Sequence, residues 1–476
     1  MRGILLAVLV VSSLCSFGQQ TKKVWTLREL VDYAVSSNLT VKRSNYSVRT
    51  GEINYLQSRM TMLPSLNANG NYGFNWGRNI DPTTNLFVEQ RINSINANVS
   101  SSLLLWNGFR LFYAMKQSEV ELEAVSQDLV KARNDVILNV ITLYLTVVFN
   151  KELYANAEYQ LGSTREQLER TKKLVEAGAL PRADALNLEA QHATNELNLI
   201  QRENALNLSF LQLKQALQLP ASTEMDVELL NVDLNDQGIN KSADEIFEIA
   251  VLSMPEIQAA RLRQKSSAFA LRSTRGNYYP RITLNGSLST LYSSARQEAI
   301  LEGSTLVPRE IGYLQNNPAE LVYTDVLVNQ FSFQTVGYQE QFKNNLGKGL
   351  GINLQIPIFN GLQTRSAVQR AAISRELANI TVLENENILR QSVETAYNDA
   401  LAASKTYQSA QKQVGARDEA FRMTKQRFEL GAVNFVEYQV AENDLFQAQS
   451  DLLRAKYDFI FKKKILDFYQ GLPLEF

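Results

Sequence analysis

Four stretches of the chain alternate apolar with small polar residues at a period of two. In the first, Leu66, Ala68, Gly70, Tyr72, Phe74 and Trp76 fall on one side and Asn67, Asn69, Asn71, Gly73 and Asn75 on the other. In the second, Ile95, Ala97, Val99, Ser101, Leu103 and Leu105 alternate with Asn96, Asn98, Ser100 and Ser102. Ile282, Leu284, Gly286, Leu288, Thr290 and Tyr292 do the same with Thr283, Asn285, Ser287 and Ser289. Leu350, Ile352, Leu354 and Ile356 form the fourth run, against Gly349, Gly351, Asn353 and Gln355. This period predicts strands with one apolar and one polar face. A soluble half-buried sheet has the same alternation. Here, however, each run is about ten residues, the length of a tilted membrane strand. Trp76, Trp106, Tyr278, Tyr279, Tyr292 and Phe359 sit at the ends, as an interfacial girdle would. Lys348 falls on the apolar face near a strand start, where its stem can snorkel to an interface.

Elsewhere the period becomes helical. Val140, Val147, Tyr154, Leu161, Leu168 and Val175 are seven apart, and Val393, Ala400, Tyr407, Val414, Phe421 and Phe428 repeat the ladder. No proline interrupts 110–180 or 358–472, so both predict coiled-coil-like helices. About 60 helical residues span roughly 90 Å, which suits a duct or stalk. Gly178 and Gly431 are placed to end these helices in the left-handed conformation. Pro181 is placed for the first turn of a returning helix, and Asn434 with Glu437 for a capping box. Shorter helices are predicted over about 26–62 and 243–277.

The whole pattern occurs twice. At a shift of 216, Glu29, Ala34, Arg59, Pro64 and Gly70 fall on Glu245, Ala250, Arg275, Pro280 and Gly286. At a shift of 253, Asn107-Gly108 falls on Asn360-Gly361, Gly178-Ala179 on Gly431-Ala432 and Leu219-Pro220 on Leu472-Pro473. The second copy is therefore 37 residues longer, between Pro280 and Asn360. A duplicated unit this long is a supersecondary module. The expected organisation is a leader over 1–18, a first repeat over 25–220, a linker over 221–242 and a second repeat over 243–476. The first repeat carries a hairpin at about 65–76 and 92–106; the second carries one at about 281–292 and 346–359, with a long extracellular insert over 293–345.

Residues 1–18 read as an export signal, with Arg2 before an apolar run from Ile4 to Val11. No later stretch reads as a transmembrane helix, so an exported chain either stays soluble or enters a membrane as strands. Four strands cannot close a barrel, since the smallest have eight. An open edge in lipid would leave backbone groups unpaired, so several chains must share the wall, and two or three copies satisfy that argument. A formal charge of −1 gives no strong field toward nucleic acid. Cys15, the single cysteine, follows Leu14 rather than the small residue that lipidation needs.

In order, the chain reads as signal, helix, hairpin ending in Trp-Asn-Gly or Phe-Asn-Gly, long helix, glycine turn and return helix, with all but the signal repeated. This resembles the TolC family of outer-membrane efflux and secretion channels. The marks are Leu63-Pro64-Ser65-Leu66, Tyr279-Pro280-Arg281-Ile282, Leu105-Trp106-Asn107-Gly108-Phe109, Ile358-Phe359-Asn360-Gly361 and the two glycine turns. The resemblance implies a mainly α fold with a membrane β part. Duplicated long coiled-coil helices would form an α-barrel, and four strands per protomer would contribute to a shared trimeric 12-stranded β-barrel. It also implies a homotrimer in outer-membrane lipid with its helical tube in the periplasm, without a cofactor. A periplasmic adaptor and an inner-membrane pump would dock at the tip formed by Gly178, Ala179, Leu180, Gly431, Ala432 and Val433. In the family, a Tyr and an Arg near the second turn bond to an Asp near the first to close the tip. Asp184 keeps that acid and Glu437 takes one second-turn acid position, but Phe428 stands where the Tyr would be and Val433 where the Arg would be. Arg182 is the alternative partner for Glu437.

Three other functions compete. An enzyme would need a catalytic constellation, and His192, the only histidine, has no Ser/His/Asp, Cys/His or metal-spaced companions. Gly347-Lys348-Gly349 lacks the upstream glycine and the Ser/Thr of a phosphate loop. A membrane-anchored adhesion stalk would use the same heptads without needing a small polar inner face. A soluble periplasmic coiled-coil scaffold would remain in the soluble fraction.

Overall fold

The computed structural model describes residues 23–81, 85–89, 91–229 and 239–472. The segment 1–18 expected as a leader, with Cys15, lies outside the described residues, as do Asp236, Gly238 and Pro473. In chain order the elements are β1 (Lys23–Trp25), α1 (Leu27–Ser37), α2 (Leu39–Met60), β2 (Ser65–Asn75), β3 (Asn79–Ile80), β4 (Phe87–Val88), β5 (Ile92–Trp106), α3 (Arg110–Glu176) and α4 (Arg182–Ala216). There follow β6 (Met225–Val227), α5 (Ala243–Ser253), α6 (Pro255–Arg275), a short 3-10 turn (Gly276–Tyr278) and β7 (Arg281–Ser293). The chain ends with β8 (Gln297–Leu314), β9 (Asn317–Thr335), α7 (Tyr338–Asn344), β10 (Gly347–Gln355), α8 (Gln363–Glu429) and α9 (Phe435–Tyr469). The chain divides into a helical unit (1–53, 119–267 and 374–476) and a sheet unit (54–118 and 268–373).

Several expectations need correction. Each leading helix is two helices. Asn38 and Met254 are extended, with ψ 129 and 126, and stop α1 and α5. Pro255 enforces the second break by excluding the helical region for the residue before it. The segment read as a linker contains β6, which pairs in parallel with β1 from Lys23↔Met225 to Trp25↔Val227. The insert over 293–345, for which the sequence pattern predicts no internal elements, is ordered. It is a long antiparallel hairpin, β8–β9, followed by α7. The fourth strand of the alternating set, expected to about 359, stops at Gln355, before Pro357. Pro181 stands at the N-cap of α4, one position before the first turn. α3 does contain an 18-residue stretch apolar enough to cross a membrane. Its apolarity serves a protein core, because Val140, Ile141, Tyr144, Leu145, Val147 and Val148 are buried there.

That core of the helical unit collects α1 (Leu30, Ala34), α3, and α4 with its C-cap (Leu213, Leu217) around β6. Tyr144 donates from its hydroxyl to the Glu228 carbonyl at 2.7 Å, and burial raises the phenol to about 12. The second repeat builds the corresponding cluster from Ile246, Ala250, Ile257, Leu389, Val393 and Leu466. Matching helix starts use matching chemistry: Thr26 with Glu29 and Ser242 with Glu245 are both complete capping boxes.

Lateral contacts order the helices. Gly51 of α2 lies against Leu122 of α3. Arg263 of α6 pairs with Asp128 of α3, while Arg261 of α6 pairs with Glu386 of α8 at 2.8 Å. The order is α2, α3, α6, α8. The two outer helices expose apolar stripes: Leu39, Tyr46 and Ile53, seven apart on α2, and Leu377, Ile380 and Leu383 on α8.

Candidate functional site

In the sheet unit, β10-β7-β5-β2 form one antiparallel sheet. Its register places one row per face across all four strands. Ala68↔Val99, Val99↔Leu288 and Leu288↔Lys348 join one such row. Leu284↔Ile352 and Ile282↔Leu354 continue the same apolar face. On the other face, Asn67↔Ser100, Ser100↔Ser287 and Ser287↔Gly349 align. Close packing explains one of these glycines, since a Cβ on Gly349 would meet the Ser287 hydroxyl at 2.7 Å. Much of this face is bare: Leu350 is 81% exposed and Ile352 70%, and Leu66, Val99 and Leu288 are exposed, while Ile282 and Leu284 are half-buried. An open apolar face of this kind marks a surface that contacts membrane or protein. Lys348 lies on this face, as the alternation indicated.

β2 and β10 are each paired on one side only. Where β7 runs past the start of β10, its free backbone is instead covered by α7. The Gln341 side-chain oxygen accepts from Ser293 N at 3.0 Å, and its amide donates to Ser293 O at 2.9 Å. Asn345 donates to Leu291 O at 2.8 Å. Thus side chains close the β7 edge, whereas β2 and β10 keep a ladder's worth of donors and acceptors for other strands.

The turns in the helical unit are built alike. Gly178 and Gly431 have φ +76 and +74. Ala179 N donates to Leu174 O and Ala432 N to Arg427 O, both at 2.8 Å; Gly178 N donates to Val175 O and Gly431 N to Phe428 O, both at 3.0 Å. These are Schellman endings. Gly178, Ala179, Gly431 and Ala432 are exposed, and Leu180 and Val433 are half-buried. Asp184 and Glu437 lie in the first turns of α4 and α9, where a carboxylate complements the helix dipole.

The gate candidates are only partly brought together within one chain. Glu437 N donates to the Asn434 side chain at 2.9 Å, and Asn434 Nδ2 donates to Glu437 Oε1 at 3.3 Å. Within one chain, among the described residues, Arg182 and Glu437 form no ion pair. Phe428 belongs to the packing. Its ring lies 4.9 Å from Tyr438 and 6.1 Å from Phe435, in a cluster with Leu188, Leu168 and Phe421 that joins the two helical hairpins.

Beside that cluster is a polar seam that sequence reasoning missed. Glu442 of α9, 7% exposed, accepts from Ser163 Oγ and Gln167 Nε2 of α3, each at 3.0 Å. Gln167 also donates to the Tyr438 hydroxyl at 2.8 Å, while its Oε1 is buried without a partner. Asn195 of α4 donates to Thr164 of α3 at 2.7 Å, and Gln439 of α9 donates to Gln191 of α4 at 2.7 Å. The signal was available: Phe435, Tyr438, Glu442 and Leu445 share a 3-4-3 ladder, so a carboxylate occupies a core position.

Burial raises the Glu442 carboxyl; hydrogen bonds from Ser163 and Gln167 and the charge of Lys425 oppose the rise. Folding therefore favours the protonated form. The stability cost is absent below the ordinary carboxylate value and grows as pH rises through the raised one. Glu442→Gln is expected to stabilise the hairpins more at pH 8 than at pH 5, read by amide exchange over 160–200 and 435–446. Equal effects at both pH values would contradict this assignment.

An open-edged sheet with one apolar and one polar face has the character of a membrane channel wall. The outer membrane efflux protein family model matches residues 30–218 and 247–461, and the chain belongs to this family. It is similar to the outer membrane efflux protein BepC of Brucella suis, 20% identical over 440 residues covering 91% of this chain and 83% of the relative. It is also similar to the outer membrane protein TolC of Escherichia coli, 21% identical over 465 residues, or 96% of this chain and 84% of the relative. The fold matches the crystal structure of the outer membrane protein VceC of Vibrio cholerae with a TM-score of 0.73 at 13% identity, covering 94% of this chain and 97% of that one. The chain is an outer-membrane channel of efflux or secretion.

Proposed function

We propose that three copies close a twelve-stranded barrel in outer-membrane lipid and continue as a twelve-helix periplasmic tube. In this reading, 25–220 and 243–476 supply equivalent halves of the wall, after removal of a leader over 1–18. The observation that carries the reading is the four-stranded sheet with free β2 and β10 edges and two chemically opposed faces. Strand directions alternate across it, so β10 of one copy meets β2 of the next in antiparallel sense. The exposed stripes of α2 and α8 stand at the corresponding outer positions of the helical order. Three copies suit the inner face better than two. Side chains fill an eight-stranded barrel, and Asn, Ser and Gly are too small to do so.

The wall conducts passively and the energy comes from an inner-membrane pump. The turns at Gly178–Leu180 and Gly431–Val433 receive a periplasmic adaptor, and three copies of Asp184 and Glu437 narrow the entrance. Arg182 reaches Glu437 only across copies, and Phe428 acts through packing. A photoreactive residue at Ala179 or Ala432 is expected to capture a periplasmic adaptor in cells. Crosslinks confined to cytoplasmic or extracellular proteins would overturn the orientation.

A further inference from the structure

We infer that Arg281 places a ring of three guanidinium groups on the barrel's inner wall, favouring anionic over cationic cargo at its base. This rests on the three-copy reading above. Arg281 opens β7 and pairs with Gln355, the last residue of β10. Alternation through Thr283, Asn285 and Ser287 puts it on the polar face. It is the only charged residue on that face: the rest are Asn, Ser, Thr, Gly and Gln, with Ile92, Leu104 and Leu291 toward the ends. The position is also fixed along the wall. β2 and β7 begin, and β5 and β10 end, at the side from which the chain enters and leaves the long helices.

Nothing nearby neutralises it. Arg281 is exposed and, among the described residues, its guanidinium forms no ion pair or hydrogen bond. Residues 54–80, 91–118, 268–296 and 346–373 contain twelve Lys or Arg and no Asp or Glu. A chain of formal charge −1 has therefore removed every acid from its barrel strands and the helix ends that join them. Arginine remains charged at all working pH values. Charge on a low-dielectric wall focuses its field into the bore. Three charges roughly 10 Å from the axis, screened over about 8 Å, give about a three-fold anion preference.

The test is the reversal potential of the reconstituted channel under a KCl gradient, with citrate as a trivalent anion probe. Arg281→Gln is expected to shift the chloride-to-potassium permeability ratio about three-fold toward potassium and to weaken block by citrate. Arg281→Lys is expected to keep both. Comparing each variant with its parent isolates this ring from carboxylates at the other end. An unchanged ratio and unchanged citrate block in Arg281→Gln would overturn the inference while leaving the channel reading intact. A parent protein that does not conduct would remove the shared barrel, and this ring with it.

Discussion

Val99→Arg is expected to remove the protein from the outer membrane, whereas Ser100→Arg, one residue away, leaves it there. Val99 lies mid-strand on the apolar face between Ala68 and Leu288, and Ser100 on the polar face between Asn67 and Ser287. An arginine facing lipid near the midplane costs about 2–4 kcal/mol, while a lumen substitution changes conduction instead. In a shared wall the cost enters once per copy. The check is membrane fractionation with resistance of the folded oligomer to SDS. Equal loss of both variants would show that the two faces are not lipid and water.

Tyr438→Ala is expected to open the helical turns without disturbing the sheet. The residue is 6% exposed, packs its ring at a tilt against Phe428 and Phe421, and takes the hydrogen bond from Gln167. Truncating a buried aromatic of this size costs about 3–5 kcal/mol. In helices this long, such a loss appears as local opening rather than global unfolding. Trypsin cleavage around Lys172, Lys173 and Lys425 should accelerate by at least an order of magnitude in the assembled protein. Tyr438→Phe keeps the packing and loses one hydrogen bond, about 1 kcal/mol, so its cleavage should stay near the parent rate. Equal acceleration in both would assign the effect to the hydroxyl instead of the aromatic cluster.

The barrel strands and long helices were legible because each has one period sustained over many residues. The Gly178 and Gly431 turns were equally plain, since only a left-handed residue ends a helix in this way. The parallel β1–β6 pair left no trace, because three-residue strands some two hundred residues apart have no periodicity to read. β8 and β9 were hidden by register shifts at Glu302 and Ile311, which break the alternation, and by Pro308 inside a strand. The break at Pro255 was written in the sequence, but its counterpart at Asn38 has no proline to announce it. Phe428 shows a conflict between two readings. Its place in the heptad ladder with Phe421 pointed to the core, and its alignment with a gate residue pointed to the bore; within one chain its ring packs, half-buried, against the cluster of Leu188, Phe435 and Tyr438. Glu442 was missed because a carboxylate in a long polar helix reads as solvated unless its ladder position is checked.

The most direct measurement is cysteine crosslinking between the free edges. Cys15 is the only native cysteine, and its replacement by serine in the parent gives a clean background. Pairing a cysteine at Asn69 of β2 with one at Gly349, Gly351 or Asn353 of β10 should give, for at least one pair, a covalent ladder ending at three copies. A monomer band with every pair, from protein folded in the outer membrane, would contradict a wall shared between chains.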